Sequence, residues 1–325
     1  MVVNKMTSSI LGTGSALPEK IVTNDLLATI VDTNDEWIRD RTGICERRIA
    51  TTETTTTLSV DAARIALEDA GISPEEIELI IVATLTPDGS MPNTACKVQA
   101  EIGATNAMCY ELNAACAGFM YGVQTAHAFI SSGILKHALI IGAETLSKIM
   151  DWTDRGTCVL FGDGAGAVVM GPSKEGIIAV EGGADGSKGH VLTCGNAPLI
   201  NPFVRNEATS PYVDMDGQEV FKFAVRKIPE IVNALSAKGN VSPSDLDLVL
   251  LHQANKRIIQ TAAKRLGLNE DIFPINLSKY GNTSAASIAI LLDEANKSGQ
   301  LKKGSLVALA GFGGGLTWAG ILMKW

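Results

Sequence analysis

The 325-residue chain is poor in aromatic side chains, in positive charge and in long apolar runs, and each shortage narrows what it can be. Aromatics make up only 5%, too few to line a broad stacking surface. Lys and Arg number 27 against 35 Asp and Glu, giving a net charge of −8. No basic stripe is present, which sets aside a dedicated nucleic-acid binder, although a local basic patch can still dock an acidic partner. No apolar run is long enough to span a bilayer. Residues 1–10 are polar and lack the apolar segment of a signal peptide, so a cytoplasmic protein is expected. The six cysteines (Cys45, Cys96, Cys109, Cys116, Cys158, Cys194) form no CxxC pair and have no metal-ligand spacing. Neither a metal nor a redox cofactor is expected, and a reducing compartment suits a reactive thiol.

What is plentiful is glycine, 32 residues, within a chain that is 46% hydrophobic. That length exceeds the usual single core, so two lobes are the natural expectation. Laying the chain on itself shows a faint duplication. LEDAGISPEEIELIIVAT from Leu67 parallels LSAKGNVSPSDLDLVLLHQ from Leu235, with Ser73-Pro74 matching Ser242-Pro243 at an offset of 169. Ser132-Gly133 parallels Ser298-Gly299, each ending a helix at its glycine, and Ala138–Gly142 parallels Leu306–Ala310 as apolar strands. Helices alternate with apolar strands in both copies. The predicted fold is therefore α/β, with two duplicated halves (1–172 and 173–325) divided near Gly171-Pro172, in layers with helices between and outside the sheets. Residues 182–216, rich in Gly, Asn, Pro and Ser, read as loops. They are either surface decoration or a lip over a pocket.

Three turns carry chemistry. Cys116 lies between a short strand (Met108–Leu112) and a helix whose apolar positions are Phe119, Met120, Val123, Ala126 and Ile130. At a helix N-terminus, free N–H groups and the dipole favour thiolate. His252 follows the apolar strand Leu246–Leu251, at the strand end where open α/β sheets place their sites. Asn282, in a Gly-Asn-Thr-Ser turn, is 166 residues beyond Cys116, the same offset as between the two Ser-Gly helix ends. It is thus the pseudo-symmetric counterpart of Cys116. Near the C-terminus, Gly313-Gly314-Gly315 permits close backbone approach and could help hold an oxyanion. Phe161–Gly166 lacks the full dinucleotide pattern and contains Asp163, so it reads as tight strand packing.

Together AACAGF, HQAN, GNTSAAS and GFGGGLTW, with DTNDEWIRDRTGI and TDRGT upstream, closely resemble the β-ketoacyl-[acyl carrier protein] synthase III family over nearly the whole chain. The resemblance implies a thiolase-like fold, layered α-β-α-β-α. It implies Cys116 as the nucleophile that takes an acetyl group from acetyl-CoA, with His252 and Asn282 binding the malonyl-[acyl carrier protein] thioester. Cys116 and Gly314 N–H groups would form an oxyanion hole. Thr33, Trp37, Arg41, Arg155, Gly217, Phe221 and Asn255 would bind CoA, and Gln253, Lys256 and Arg257 would meet the carrier protein. Phe312 and Met91 would shape the acyl pocket, Met91 reaching that of the neighbouring subunit in a homodimer. A polyketide-initiating synthase with another primer and a non-catalytic partner subunit are the alternatives. Hydroxymethylglutaryl-CoA synthase is set aside because no carboxylate is assigned beside Cys116.

Overall fold

A computed structural model describes residues 6–195, 198–207 and 210–325. Nine strands build two sheets. The first contains β1 (Thr7–Ala16), β2 (Leu79–Ala83), β3 (Met108–Leu112), β4 (Ala138–Glu144) and β5 (Gly164–Ser173), in the order β1-β5-β4-β2-β3. The second contains β6 (Ile177–Ala184), β7 (Leu248–Leu251), β8 (Leu306–Gly313) and β9 (Thr317–Lys324), in the order β7-β8-β9-β6.

The duplication is visible strand for strand. β2 runs parallel to β4, which pairs antiparallel with β5, which pairs antiparallel with β1. β7, β8, β9 and β6 repeat that order and those senses. Even the register repeats. Leu79 faces Ala138 and Leu248 faces Val307, both strands being displaced by the 169 residues that separate Ser73 from Ser242. Only β3, added outside β2, has no counterpart in the second sheet.

Seven helices complete the layers: α1 (Asp35–Thr42), α2 (Thr55–Ala70), α3 (Thr94–Ile102), α4 (Gly118–Ser131), α5 (Gly217–Gly239), α6 (Lys256–Leu266) and α7 (Ala286–Lys297). The parallel strands are buried on both faces, so their residues are apolar throughout and sort by alternation. Ile80, Val82, Leu139 and Ile141 point out to Leu58, Ala62 and Ala66 of α2. Leu79, Ile81 and Ile140 point in, to the layer formed by Phe119, Met120 and Val123 of α4 with Ile288, Leu291 and Leu292 of α7. Leu250, Leu309 and Ile321 of the second sheet close that layer from the other side. Beyond it, Ile228, Ile231 and Leu235 of α5 and Ile259 of α6 cover the outer face. This is the α-β-α-β-α sandwich expected from the sequence.

The outer helix α2 is fixed by a reciprocal Thr54–Thr57 capping box and stopped by Gly71 at φ 62. The two middle helices differ. Neither α4 nor α7 has a capping side chain; their first N–H groups turn back onto backbone carbonyls instead, Gly118 to Ala115 and Ala286 to Thr283. The 182–216 region is more ordered than its composition suggested. Leu192–Cys194 pairs with Val213–Met215, and a small hairpin joins Ile200–Asn201 to Val204–Arg205. Residues 196, 197, 208 and 209, also within that stretch, lie outside the described residues.

Gly142 is where β4 lets the start of α7 come close. A Cβ there would stand 2.2 Å from the carbonyl oxygen of Ala285. Backbone cannot yield as a flexible side chain can, so Gly142→Ala is expected to destabilise the fold by about 1–3 kcal/mol. Denaturant unfolding measures this, and an unchanged midpoint would show that the contact is not tight.

Candidate active site

Cys116 and Asn282 sit at the starts of the two middle helices. Cys116 occupies a single 3-10 turn, Ala115–Ala117, between β3 and α4. Asn282 lies in the turn before α7 and bridges to Phe161. Each follows directly on a left-handed residue, Ala115 at φ 45 and Gly281 at φ 65. For an alanine that conformation costs about 1–3 kcal/mol, and the surroundings must hold it. Asn113 does so by accepting from the Ala115 N–H at 3.2 Å, and Thr317 by donating to the Ala114 carbonyl at 2.9 Å.

His252 follows β7 directly, and its N–H extends the ladder to the Ala310 carbonyl. Its ring is buried, edge-on to Phe312 at 5.2 Å. Nδ1 lies 2.6 Å from the Ser287 hydroxyl, which receives a long contact from the Gln253 N–H at 3.5 Å. The Ser287 hydroxyl can donate to Nδ1 or accept from it, and donation leaves the ring proton on Nε2. Asn282 is oriented in the same way. Its Oδ1 accepts the Ser284 N–H at 2.8 Å, which leaves the amide NH2 as a donor.

One cavity of about 600 Å³ joins these groups, a usual size for a small-molecule site. Cys116, His252 and Asn282 line it with Phe312, Gly313 and Gly314. Leu85, Leu160, Phe161, Val220, Phe221 and Ile258 make apolar walls. Toward solvent it is framed by Trp37 and Arg41 of α1. The guanidinium carbons of Arg41 and Arg155 lie 5.0 and 5.1 Å from the Trp37 ring centroid, within cation–π range. The glycine run touches the nucleophile turn, since a Cβ on Gly313 would fall 2.7 Å from the Cys116 nitrogen. Neither the Cys116 N–H nor the Gly314 N–H is spent on a turn or loop hydrogen bond. A thiol, two neutral donors and two free backbone N–H groups at the end of an apolar tunnel suit attack on a thioester and stabilisation of the resulting oxyanion.

Two family models described as 3-oxoacyl-[acyl-carrier-protein] synthase III match residues 110–186 and, for the C-terminal part, 236–325. The β-ketoacyl-[acyl-carrier-protein] synthase III of Clostridium acetobutylicum is 52% identical, over 97% of this chain and 98% of its own. The chain belongs to the β-ketoacyl-[acyl carrier protein] synthase III family. Among solved structures, the synthase III of Aquifex aeolicus superposes with a TM-score of 0.93 at 47% identity, covering 98% of this chain and all of its own. A priming β-ketosynthase of the R1128 polyketide pathway gives 0.92 at 37%, covering 98% and 96%. Membership makes the chain a condensing acyltransferase of fatty acid biosynthesis with the thiolase-like fold.

Within this family frame, most of the residues singled out in the sequence meet at the cavity, and some do not. Trp37, Arg41, Cys116, Gly217, Phe221, His252, Asn255, Asn282, Phe312 and Gly314 all line it. Asn255 does so with its polar atoms engaged: it caps α6 through the Arg257 N–H and donates to the Arg41 carbonyl. Thr33 and Arg155 lie outside the lining, Arg155 donating to the Asp32 carbonyl. Lys256 and Arg257 are exposed on the first turn of α6. Met91 is 89% exposed and takes no part in the cavity of its own chain. Gln253 must be corrected. It is buried, donates to the Leu251 and Pro274 carbonyls and accepts from the Asn276 N–H, so it is an internal brace rather than a carrier-protein contact.

The thiol also departs from expectation. Burial pushes Cys116 up to about 12, and the negative charge of Glu144 acts in the same direction. That carboxylate, at the end of β4, removes the premise that none lies near Cys116. A lone charge closing an apolar strand was the signal available for it. Ser284 and Ser287 were missed within a motif already noted, because nothing in the sequence tells which serine of the turn points inward.

Burial lowers His252 to about 3, so no thiolate–imidazolium pair forms. The folded value lies below the ordinary 6.5. The neutral ring therefore favours the fold above 6.5, and this contribution is lost as pH falls toward 3. Nitrogen NMR of labelled His252 should show one unchanging neutral Nε2–H tautomer from about pH 8 to about pH 5. A titration midpoint near 6.5 would show the ring to be solvated.

Proposed function

We propose that the chain condenses acetyl-CoA with malonyl-[acyl carrier protein], releasing CoA and CO2, to give acetoacetyl-[acyl carrier protein], the first carbon–carbon bond of a fatty acid. The observation that carries this reading is the convergence of Cys116, His252 and Asn282, with Nε2–H and NH2 groups left free, on one tunnel. The reaction is ping-pong. Cys116 attacks the acetyl thioester and gives up its thiol proton, the Cys116 and Gly314 N–H groups hold the tetrahedral oxyanion, and CoA leaves as a thiol carrying one proton in exchange. The malonyl thioester then enters, and His252 and Asn282 donate to its carbonyl oxygen. Loss of CO2 places a pair of electrons on the α-carbon, delocalised onto that oxygen. The carbon attacks the acetyl-Cys116 carbonyl, and the sulfur leaves to restore the enzyme. Condensation draws its driving force from the lost carboxylate.

Trp37 with Arg41 and Arg155 would hold the adenine and phosphates of CoA, because stacked guanidinium and indole planes suit a flat base beside negative charge. Lys256 and Arg257 would meet the acidic carrier protein, a local attraction compatible with a net charge of −8. The exposure of Met91 supports a homodimer in which this side chain reaches the neighbour's acyl pocket. The likeness to a priming polyketide synthase leaves primer choice as the point to test. Initial rates with acetyl-, isobutyryl- and hexanoyl-CoA compare primers directly, and slow use of acetyl-CoA would overturn acetyl as the substrate.

Intact-mass measurement after acetyl-CoA addition should show a single acetyl adduct, absent in Cys116→Ser. A non-catalytic partner subunit would gain none. His252→Ala is expected to keep the adduct while condensation falls by about 10²–10³-fold, the usual cost of one oxyanion donor. Undiminished condensation in that variant would remove His252 from the reaction.

A further inference from the structure

The guanidinium of Arg47 is a buried charge behind the tunnel wall. Arg47 has no exposed surface, and among the described residues it forms no ion pair. It lies on a two-stranded ribbon in which Ile21–Thr23 pairs with Glu46–Arg48. Nη1 donates to the Val22 carbonyl at 3.2 Å and to Asn24 Oδ1 at 2.8 Å. Nη2 donates to the Val159 carbonyl at 2.7 Å, and Nε has no partner. Burial lowers the group to about 10, so it stays charged at neutral pH. A buried cation held only by neutral oxygens costs stability that a methionine of similar length would not. The planar fork offsets that cost by holding two separate segments at once, which the single nitrogen of a lysine does not reproduce.

The segment that Nη2 reaches is the one that holds Asn282. Asn282 belongs to neither sheet and forms an isolated parallel bridge with Phe161. Its N–H donates to the Leu160 carbonyl at 2.8 Å, and its own carbonyl accepts the Gly162 N–H at 3.0 Å. Val159, gripped by Arg47, directly precedes Leu160. The stem of Arg47 packs against the same bridge. A Cβ on Gly162 would fall 3.2 Å from Arg47 Cβ, and one on Gly281 would fall 3.4 Å from it. Val159, Leu160, Phe161 and Asn282 all line the tunnel, whereas Arg47 does not. On its other side Arg47 is anchored by buried Asn24, whose Nδ2 donates to the Ile44 carbonyl and to Asp35 at the start of α1, both at 2.8 Å.

We propose that Arg47 is a positioning residue for Asn282, fixing through the Val159 carbonyl the bridge that sets the Asn282 amide at the tunnel. The Ser284 N–H already orients the amide oxygen, so what remains to be set is where residue 282 stands against the wall. Without the grip of Arg47, residues 159–161 are free to move and Asn282 moves with them. A donor to a developing oxyanion acts only at the right distance, and a misplacement of about 1 Å can cost about 10²-fold. The nucleophile does not hang on this bridge. Its turn is held by Asn113 and Thr317 instead. The role of Arg47 therefore divides the two half-reactions: acyl transfer to Cys116 is spared, and condensation is weakened.

The inference rests on Asn282 holding the malonyl thioester, and the experiment separates the two claims. Arg47→Lys keeps the charge and loses the fork, and thermal melts confirm that each variant is folded. At saturating substrate, single-turnover acetylation should stay within about 3-fold of the wild type while condensation falls by about 10–10²-fold. In an Asn282→Ala background the same substitution should cost condensation nothing further, as for residues acting as a unit. The nitrogen-labelled side-chain amide of Asn282 should also shift in Arg47→Lys. An equal loss in both half-reactions, a full further loss in the Asn282→Ala background, or an unshifted amide overturns the role. If Arg47→Lys does not fold, Asn24→Ala, which removes an Nη1 acceptor, should show the same division with a smaller loss, and undivided or undiminished rates overturn it. If neither folds, NMR of labelled arginine in the wild type decides. The Nη protons of Arg47 should be resolved separately, and a freely rotating guanidinium overturns the role. Should Asn282→Ala condense at the wild-type rate, the proposed part of Asn282 in condensation fails, and a shifted Asn282 amide in Arg47→Lys still supports the positioning.

Discussion

The contact on which the site depends is the meeting of two helix starts inside the sandwich. α4 and α7 share one layer, and each begins at a turn bearing a reactive side chain. Small residues make the meeting possible. A Cβ on Gly118 would fall 3.8 Å from Ala285 Cβ, and Gly142 leaves room for the Ala285 carbonyl. Because the sheets above and below repeat the same order and register, the turn before α7 is carried to a place equivalent to that before α4. Cys116 and Asn282 are brought together by the symmetry of the fold rather than by any direct attraction between them. Neither helix start is capped by a side chain, and both close on backbone carbonyls of the turn before them.

Burial then decides the electrostatics. In a dry floor the neutral form of each group is favoured, so the thiol stays protonated, the imidazole stays uncharged and the carboxylate is drawn toward protonation. In the proposed condensation, a neutral His252 would be the better partner for a thioester carbonyl that gains negative charge without taking a proton. Its orientation comes from Ser287, which is held on α7 while His252 ends β7. The donor and the residue that fixes its tautomer thus belong to different layers. The same logic explains Gln253, whose amide ties the strand end to the segment around Pro274 and Asn276.

Much of this was legible in the residues. The Ser-Pro turns, the Ser-Gly helix ends and the paired apolar strands gave the duplication, because each is a local signal with a local cause. The offset between Cys116 and Asn282 then placed both at one interface. The departures share a different cause. Gln253 stands beside His252 in sequence, and its neighbours suggested an exposed contact, but burial is a property of the packed layers and not of the tetrapeptide. The thiol misled in the same way. A helix start is visible in the sequence, whereas the low-polarity surroundings that raise the thiol are assembled from β4, β8 and the turn before α7. Met91 reads as a pocket residue and yet is exposed and takes no part in the cavity of its own chain.

Glu144 shows how the layers constrain what the site can keep. A charge closing an apolar strand is costly, and three donors from the Thr84–Thr86 segment offset only part of that cost. An amide or a leucine of similar size would sit there without an ionisation to hold. The same burial that keeps the thiol protonated and the imidazole uncharged therefore draws this carboxylate toward its protonated form.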